Sequence, residues 1–315
     1  MYQIGVDIGG TNIKIGLVDD RLEIVRRTSI PFPHEDGEAV ANRIASEVRG
    51  LLEAHGVPET QLASVGVIVP GSIDPTGAVI LNAYNLGFHN VPFKAQLQAQ
   101  FSGTPVFLAN DADGAGLAEL GRGAFVGCQT AVLLTLGTGV GGGLILGGKM
   151  FSGGKRQGVE LGHMPLVAGG EACSCGNLGC IEAYCSATAL ARDGIRAMEA
   201  HPESLLATAS GGDPGRIDAK FVIDSAKAGD QTAMAVFDRF VDHLGSACIA
   251  MIHLLDPEVI AIGGGVCGAG EFLFAPLRAN VAGKCFYSDF AKIVPAAMGN
   301  DAGMIGAAML GRNAI

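Results

Sequence analysis

No block of lysines and arginines occurs anywhere in this chain. Its 21 Lys+Arg are outnumbered by 31 Asp+Glu, for a formal net charge of −10. Phosphate-backbone binding needs clustered cations, so nucleic acid is excluded as a partner. No apolar run reaches the length of a bilayer span, and the longest, around Gly245–Leu255, contains His253, so a membrane is not expected either. The opening MYQIGVDIGG lacks the charged region and cleavage site of a secretory signal. The expected compartment is the cytoplasm, where thiols stay reduced. There is no low-complexity tract or polar linker, no G-K-[ST] and so no Walker A loop, and no C-x-x-C for thioredoxin chemistry.

What is present is core and glycine. At 315 residues and 49% hydrophobic, the chain is long enough for two domains and needs no staple merely to fold. Its 48 glycines suit tight turns and close approaches of backbone to ligand. Residues 2–8, 12–18 and 22–30 read as a β-meander around the turn Gly9-Gly10-Thr11. Val40, Ile44, Val48, Leu51 and Leu52 share one helical face that ends at Gly56, and a strand follows at 64–71. After Asn110-Asp111 a small-residue helix runs to about 121. A second meander follows, AVLLTLG (131–137), the turn TGVGGG and GLILGG (143–148). The device of strand, glycine turn and returning strand thus occurs twice, which predicts an internal duplication with a domain built on each copy. Helices are expected over 187–200, 219–228, 231–254, 270–282 and 301–311, with one strand at 258–265.

The second turn formally contains G-x-G-x-x-G (Gly137, Gly139, Gly142). A dinucleotide site needs a helix directly after that fingerprint, and here an apolar strand follows. The glycine hairpins are instead expected to aim backbone N–H groups at phosphate, a plain tight turn being the alternative for each. Asp7, at the end of the first strand, suits Mg2+ beside such a cradle, or else caps a turn. Asp111 is either a helix cap or a general base kept ionised by the helix N-terminus. Glu160 and Glu182 are carboxylates able to accept bonds from neighbouring sugar hydroxyls.

Between those two glutamates lies His163-x9-Cys173-x-Cys175-x4-Cys180. One imidazole and three thiolates make a full tetrahedral set for structural Zn2+, with no position left open for catalysis. Gly176 and Gly179 supply the left-handed turns that such a short loop requires. The remaining cysteines, Cys128, Cys185, Cys248, Cys267 and Cys285, are scattered and read as ordinary buried thiols.

Taken in order, DIGGTNIK (7–14), NDA (110–112), LGTGVGGGLI (136–145), ELGH (160–163), CSCGNLGCIEAY (173–184) and IGGG (262–265) resemble the ROK family of bacterial sugar kinases and related repressors, over the whole chain. The resemblance implies an α/β, actin-like (ribonuclease H-like) ATPase fold with an active-site cleft between two α/β domains. The expected division is 1–110 plus 301–315 and 111–300. The resemblance also implies that Asp111 is the catalytic base toward a sugar 6-hydroxyl. Asn110, Glu160, His163 and Glu182 match sugar-contacting positions, and His163, Cys173, Cys175 and Cys180 match zinc ligands. Asp7, Gly9, Gly10, Thr11, Asn12 and Lys14, then Gly137, Thr138, Gly139 and Gly141, are expected at the ATP phosphates, with Gly264 and Gly265 near the adenosine.

The stretch VPGSIDPTGAVILNAYNLGF (69–88), with Gly71 and Asn85, looks like glucokinase members. Glucose is therefore the expected substrate, and N-acetylmannosamine or N-acetylglucosamine the alternative. A non-catalytic sugar sensor is disfavoured by the intact Asp111 and by the first turn starting at Gly9. Polyphosphate as donor lacks basic patches to hold it. A homodimer is the family-level expectation. Departures from the family pattern are Asp113 in place of Asn, Gly114 and Gly116, which should loosen the helix after Asp111, Ser72 in the sugar loop, and the polar Lys155-Arg156-Gln157.

Overall fold

The computed structural model describes residues 1–155 and 158–313; Arg156 and Gln157, part of the polar stretch before Glu160, lie outside the described residues. In chain order, β1 (Tyr2–Ile8), β2 (Asn12–Val18) and β3 (Ile24–Pro31) form a meander, followed by α1 (Gly37–His55) and β4 (Leu62–Val69). Next come β5 (Ser72–Ile73), β6 (Ile80–Ala83), β7 (Phe88–Val91), α2 (Phe93–Gln98), β8 (Val106–Asn110) and α3 (Asp111–Arg122). The second meander is β9 (Thr130–Leu136), β10 (Val140–Leu146) and β11 (Lys149–Met150). After a long loop the chain forms α4 (Glu182–Cys185), α5 (Ala187–Ala200), α6 (Leu205–Ser210), α7 (Ala219–Lys227) and α8 (Gln231–Leu255). It ends with β12 (Val259–Gly263), α9 (Glu271–Lys284), β13 (Lys292–Pro295) and α10 (Ala302–Asn313).

The duplication is visible in the sheets. One five-stranded sheet runs β3-β2-β1-β4-β8 and the other β11-β10-β9-β12-β13. In the first, β1 is antiparallel to β2 and parallel to β4, with Val6 opposite Val67. In the second, β12 lies parallel to both β9 and β13, with Ile260 opposite Val132. A parallel pair needs a crossover, and α1 supplies it in the first copy. Its apolar face (Val40, Ile44, Val48, Leu51, Leu52) is buried as the periodicity predicts, and Gly56 ends it at φ 69°.

Two compact units result: residues 1–128, 143–159 and 297–315 in the first, residues 129–142 and 160–296 in the second. Against the expected limits at 110/111 and 300/301, α3 and residues 143–159 fall with the first unit. The physical reason for α3 is α10, which lies on α3, β1 and β4 together, and β11 in turn packs against α3. Glycine permits that approach: a Cβ on Gly66 would sit 1.7 Å from the Ala307 carbonyl oxygen. Gly114 and Gly116 do not loosen α3, which runs unbroken from Asp111 to Arg122. Instead Gly114 lets the helix settle on β4, where a Cβ would meet Ile68 Cγ2 at 2.6 Å.

Two buried acids brace the same unit. The Glu119 carboxylate accepts from the Ala124 N–H at 2.7 Å and from the Met298 N–H at 2.9 Å, fixing the chain as it enters α10. Asp113 accepts from the Ser152 hydroxyl at 3.2 Å. The first core gathers Ile4, Val6, Ile15, Ile44, Val67 and Phe93 between sheet and helices. In the second unit, Val132, Leu134, Ile260, Leu244, Met251 and Phe274 are buried in the same manner. Among the described residues, no helix is long and apolar enough to cross a membrane.

Candidate active site

In the first unit the β1–β2 turn is closed by the Gly9 N–H donating to the Asn12 carbonyl at 2.9 Å. Asp7 and Lys14 face each other across the ladder, with Nζ 3.9 Å from Oδ2. Burial raises the Asp7 carboxyl above its ordinary value, and the Lys14 charge opposes that. Thr11 holds the end of β3 through its carbonyl, which accepts the Phe32 N–H. Asn85, in a 3-10 turn after β6, borders this turn: a Cβ on Gly10 would lie 3.5 Å from Asn85 Cβ.

Asp111 is the first residue of α3, at the helix N-terminus. Its Oδ1 accepts from the Ala112 N–H at 2.9 Å. Asn110 caps the helix, its Oδ1 accepting from the same N–H at 2.8 Å. Its Nδ2 donates to the Gly71 carbonyl at 2.7 Å. Gly71 has φ 104°, and a Cβ there would meet the Asn82 carbonyl oxygen at 2.0 Å. No other residue fits that corner, so glycine is required on both counts. Gly71, Asn82, Asn110 and Asp111 thus form one cluster at the end of β8. The loop beyond is pinned by Asp74, which accepts from the N–H groups of Thr76, Ala78 and Val79 and from the Thr76 hydroxyl. The hydroxyl and then the backbone bonds hold its carboxyl at about 2.

In the second unit the phosphate-type turn is shorter than the sequence suggests. β10 begins at Val140, so Gly141 and Gly142 lie in the strand and only Gly137–Gly139 turn. The Gly137 N–H donates to the Gly139 carbonyl at 3.0 Å. Gly264, at φ 90°, follows β12, and a Cβ there would be 2.3 Å from the Leu136 carbonyl oxygen. Beside Gly265 opens a cavity of about 380 Å³, lined by Ala187, Ile223 and Val266 with Asp218, Lys220, Asp224 and Lys227. Its α7 face was not legible in the sequence, because its residues carry no motif.

Glu160 precedes the 3-10 turn Leu161–His163, where the His163 N–H donates to the Glu160 carbonyl at 3.0 Å. The ligand-type atoms of His163, Cys173, Cys175 and Cys180 all lie within 4.8 Å of one another. Gly176 (φ 88°) and Gly179 (φ 81°) make the left-handed turns between them. Cys175 Sγ and Cys180 Sγ are 3.7 Å apart, and Cys173 Sγ is 3.6 Å from His163 Nδ1. Tetrahedral edges for zinc bonds of ordinary length are about 3.8 Å (S–S) and about 3.6 Å (S–N), whereas a disulfide needs about 2.05 Å. The donor set therefore fits a tetrahedral cation. Burial pushes the Cys180 thiol up to about 12, while the Asn177 N–H first of all lowers that of Cys175.

Glu182 stands between this loop and the glycine turn. Its Oε1 accepts from the Ser174 hydroxyl at 2.6 Å, with Cys173 Sγ at 3.6 Å, and its Oε2 accepts from the Val140 N–H at 3.0 Å. Ser174 was missed in the sequence because nothing marks a serine between two cysteines as a carboxylate partner.

The chain is similar to known proteins along its whole length. A glucokinase from Thermotoga maritima is 38% identical over 98% of this chain and 96% of its own length. An N-acetyl-D-glucosamine kinase from Vibrio vulnificus is 31% identical over 97% of this chain and 98% of its own. The crystal structure of a ROK family glucokinase from Streptomyces griseus, in complex with glucose and AMPPNP, superposes with a TM-score of 0.79 at 33% identity, covering 99% of both chains. The fold is accordingly the actin-like ATPase fold. The model of the ROK family matches residues 3–314, and the chain belongs to that family.

Proposed function

We propose that this protein is an ATP-dependent glucokinase, moving the γ-phosphoryl group of ATP to the 6-hydroxyl of glucose. The observation that carries the reading is Asp111: a carboxylate at the first position of α3, beside the Asn110–Gly71 hydrogen bond. The helix N-terminus stabilises its ionised form, so it can orient the sugar hydroxyl and take its proton as the oxygen attacks phosphorus in line. Asn110, Asn85, Gly71, Glu160, His163 and Glu182 are assigned to the sugar. The glycine turns at Gly9–Thr11 and Gly137–Gly139 are assigned to the phosphates, with Asn12 and Lys14 beside the first. Asp7 is assigned to Mg2+, which when bound offsets phosphate charge.

The mostly apolar cavity beside Gly265 has the size for a nucleoside, which favours ATP over polyphosphate as donor. His163, Cys173, Cys175 and Cys180 would hold one structural Zn2+. Thiolate ligands need a reducing compartment, so the cytoplasm is part of the proposal. So is a homodimer, for which exposed Leu254, Phe286 and Tyr287 of the second unit offer apolar surface; light scattering tests it.

The test is a coupled assay with Mg-ATP and a panel of glucose, mannose, N-acetylglucosamine and N-acetylmannosamine. Glucose should be the best substrate. Turnover of an acetamido sugar far above that of glucose would replace glucokinase with an amino-sugar kinase, like the similar N-acetyl-D-glucosamine kinase from Vibrio vulnificus. No turnover of any sugar would leave a non-catalytic sugar sensor.

A further inference from the structure

The metal loop reaches the donor side of the reaction as well as the sugar side. Its last ligand, Cys180, is followed at once by the segment 182–188, and that segment grips the second glycine turn residue by residue. The Glu182 carboxylate accepts the Val140 N–H at 3.0 Å, the Ala187 N–H donates to the Gly137 carbonyl at 2.8 Å, and the Thr188 hydroxyl donates to the Thr138 carbonyl at 2.8 Å. No slack remains at the fourth position, because a Cβ on Gly139 would stand 2.3 Å from Glu182 Oε2. The other oxygen of that carboxylate is held by Ser174, which sits between ligands Cys173 and Cys175. Ala187, in the middle of the segment, also lines the cavity beside Gly265.

From this we infer that Ser174 and Thr188 are positioning residues for the nucleotide: the metal loop sets the shape of the Gly137–Val140 turn through Ser174, Glu182 and the start of α5. This rests on the kinase reading for the identity of the nucleotide. It goes beyond a loop that only braces the sugar pocket, because it makes the donor turn depend on a side chain inside the metal loop.

The experiment measures dissociation constants for Mg-AMPPNP and, separately, for glucose by calorimetry, using metal-loaded protein whose zinc content is checked for each variant. Ser174→Ala and Thr188→Val should each weaken AMPPNP about three- to tenfold, the loss of one hydrogen bond. Ser174→Thr and Thr188→Ser should stay within about twofold of the unmodified protein, and glucose affinity should change less than AMPPNP affinity throughout. AMPPNP constants unchanged in both loss variants would overturn the inference. So would a loss of glucose affinity as large as that of AMPPNP, or an effect of Thr188→Val alone, which would leave the metal loop without a part. If the unmodified protein binds glucose but no AMPPNP, the kinase reading itself falls, and the inference with it.

Discussion

The Asn110 side chain ties two pieces of backbone together: it donates to the Gly71 carbonyl at 2.7 Å and accepts the Ala112 N–H at 2.8 Å. One side chain thereby caps the helix that starts with Asp111 and fixes the corner at Gly71. The two jobs are separable by mutation. Asn110→Asp keeps a capping oxygen and loses the donor, while Asn110→Ala loses both. Asn110→Ala should cost about 1 kcal/mol of folding stability, in the range for a lost helix cap, and Asn110→Asp much less. Both should raise KM for the sugar. Urea unfolding and steady-state kinetics on the two variants check this, and equal stabilities for the pair would contradict the capping role.

Asp74 gives the fold a pH dependence with a definite sign. Its carboxyl is held at about 2 in the folded chain, against about 3.9 in an unfolded one. A depressed carboxyl contributes stability that is present above the unfolded value and is lost as pH falls toward the folded one. Asp74→Asn removes the titration. The difference in urea midpoint between the unmodified protein and this variant should therefore be constant above about pH 5 and shrink as pH is lowered to about 3. A difference that stays constant over that range would rule the carboxylate out as the source.

The four-ligand cluster predicts about one zinc per chain by elemental analysis. Cys180→Ser, at a buried ligand, should lose most of that zinc and lower the melting temperature. Chelator-treated protein should resemble the variant, since the metal would add the link from His163 to the loop 173–180 that the backbone bonds from Cys173 to Asn177 and from Gly179 to Glu171 do not supply. Unmodified protein that is metal-free at full thermal stability would refute the site.

Much of this was readable in the residues. The glycine hairpins announced the repeated sheet because an apolar strand, a glycine turn and a returning strand are a local pattern. The helical face from Val40 to Leu52 and its stop at Gly56 followed from periodicity and the left-handed cap. The spacing from His163 to Cys180 placed the cation cluster. What escaped was short or non-local. The small sheet β5–β7 has strands of two to four residues, too brief to show alternation. The strand β13 covers four residues and, among the described residues, pairs only with β12. The start of β10 was placed late because Gly141–Gly143 read as turn, whereas the ladder and the Glu182–Val140 bond extend the strand through them. The α7 side of the cavity and the Ser174–Glu182 bond depend on packing between distant segments, which no local pattern encodes.

The central claim is that Asp111 takes the proton from the sugar hydroxyl. Its most direct test is Asp111→Ala, assayed for phosphorylation with glucose and Mg-ATP and for glucose binding by calorimetry. Removal of a general base typically costs about 10²- to 10⁴-fold in rate. The account predicts a loss of kcat at or beyond that range, with glucose binding still measurable. A variant that keeps near-normal kcat would contradict it.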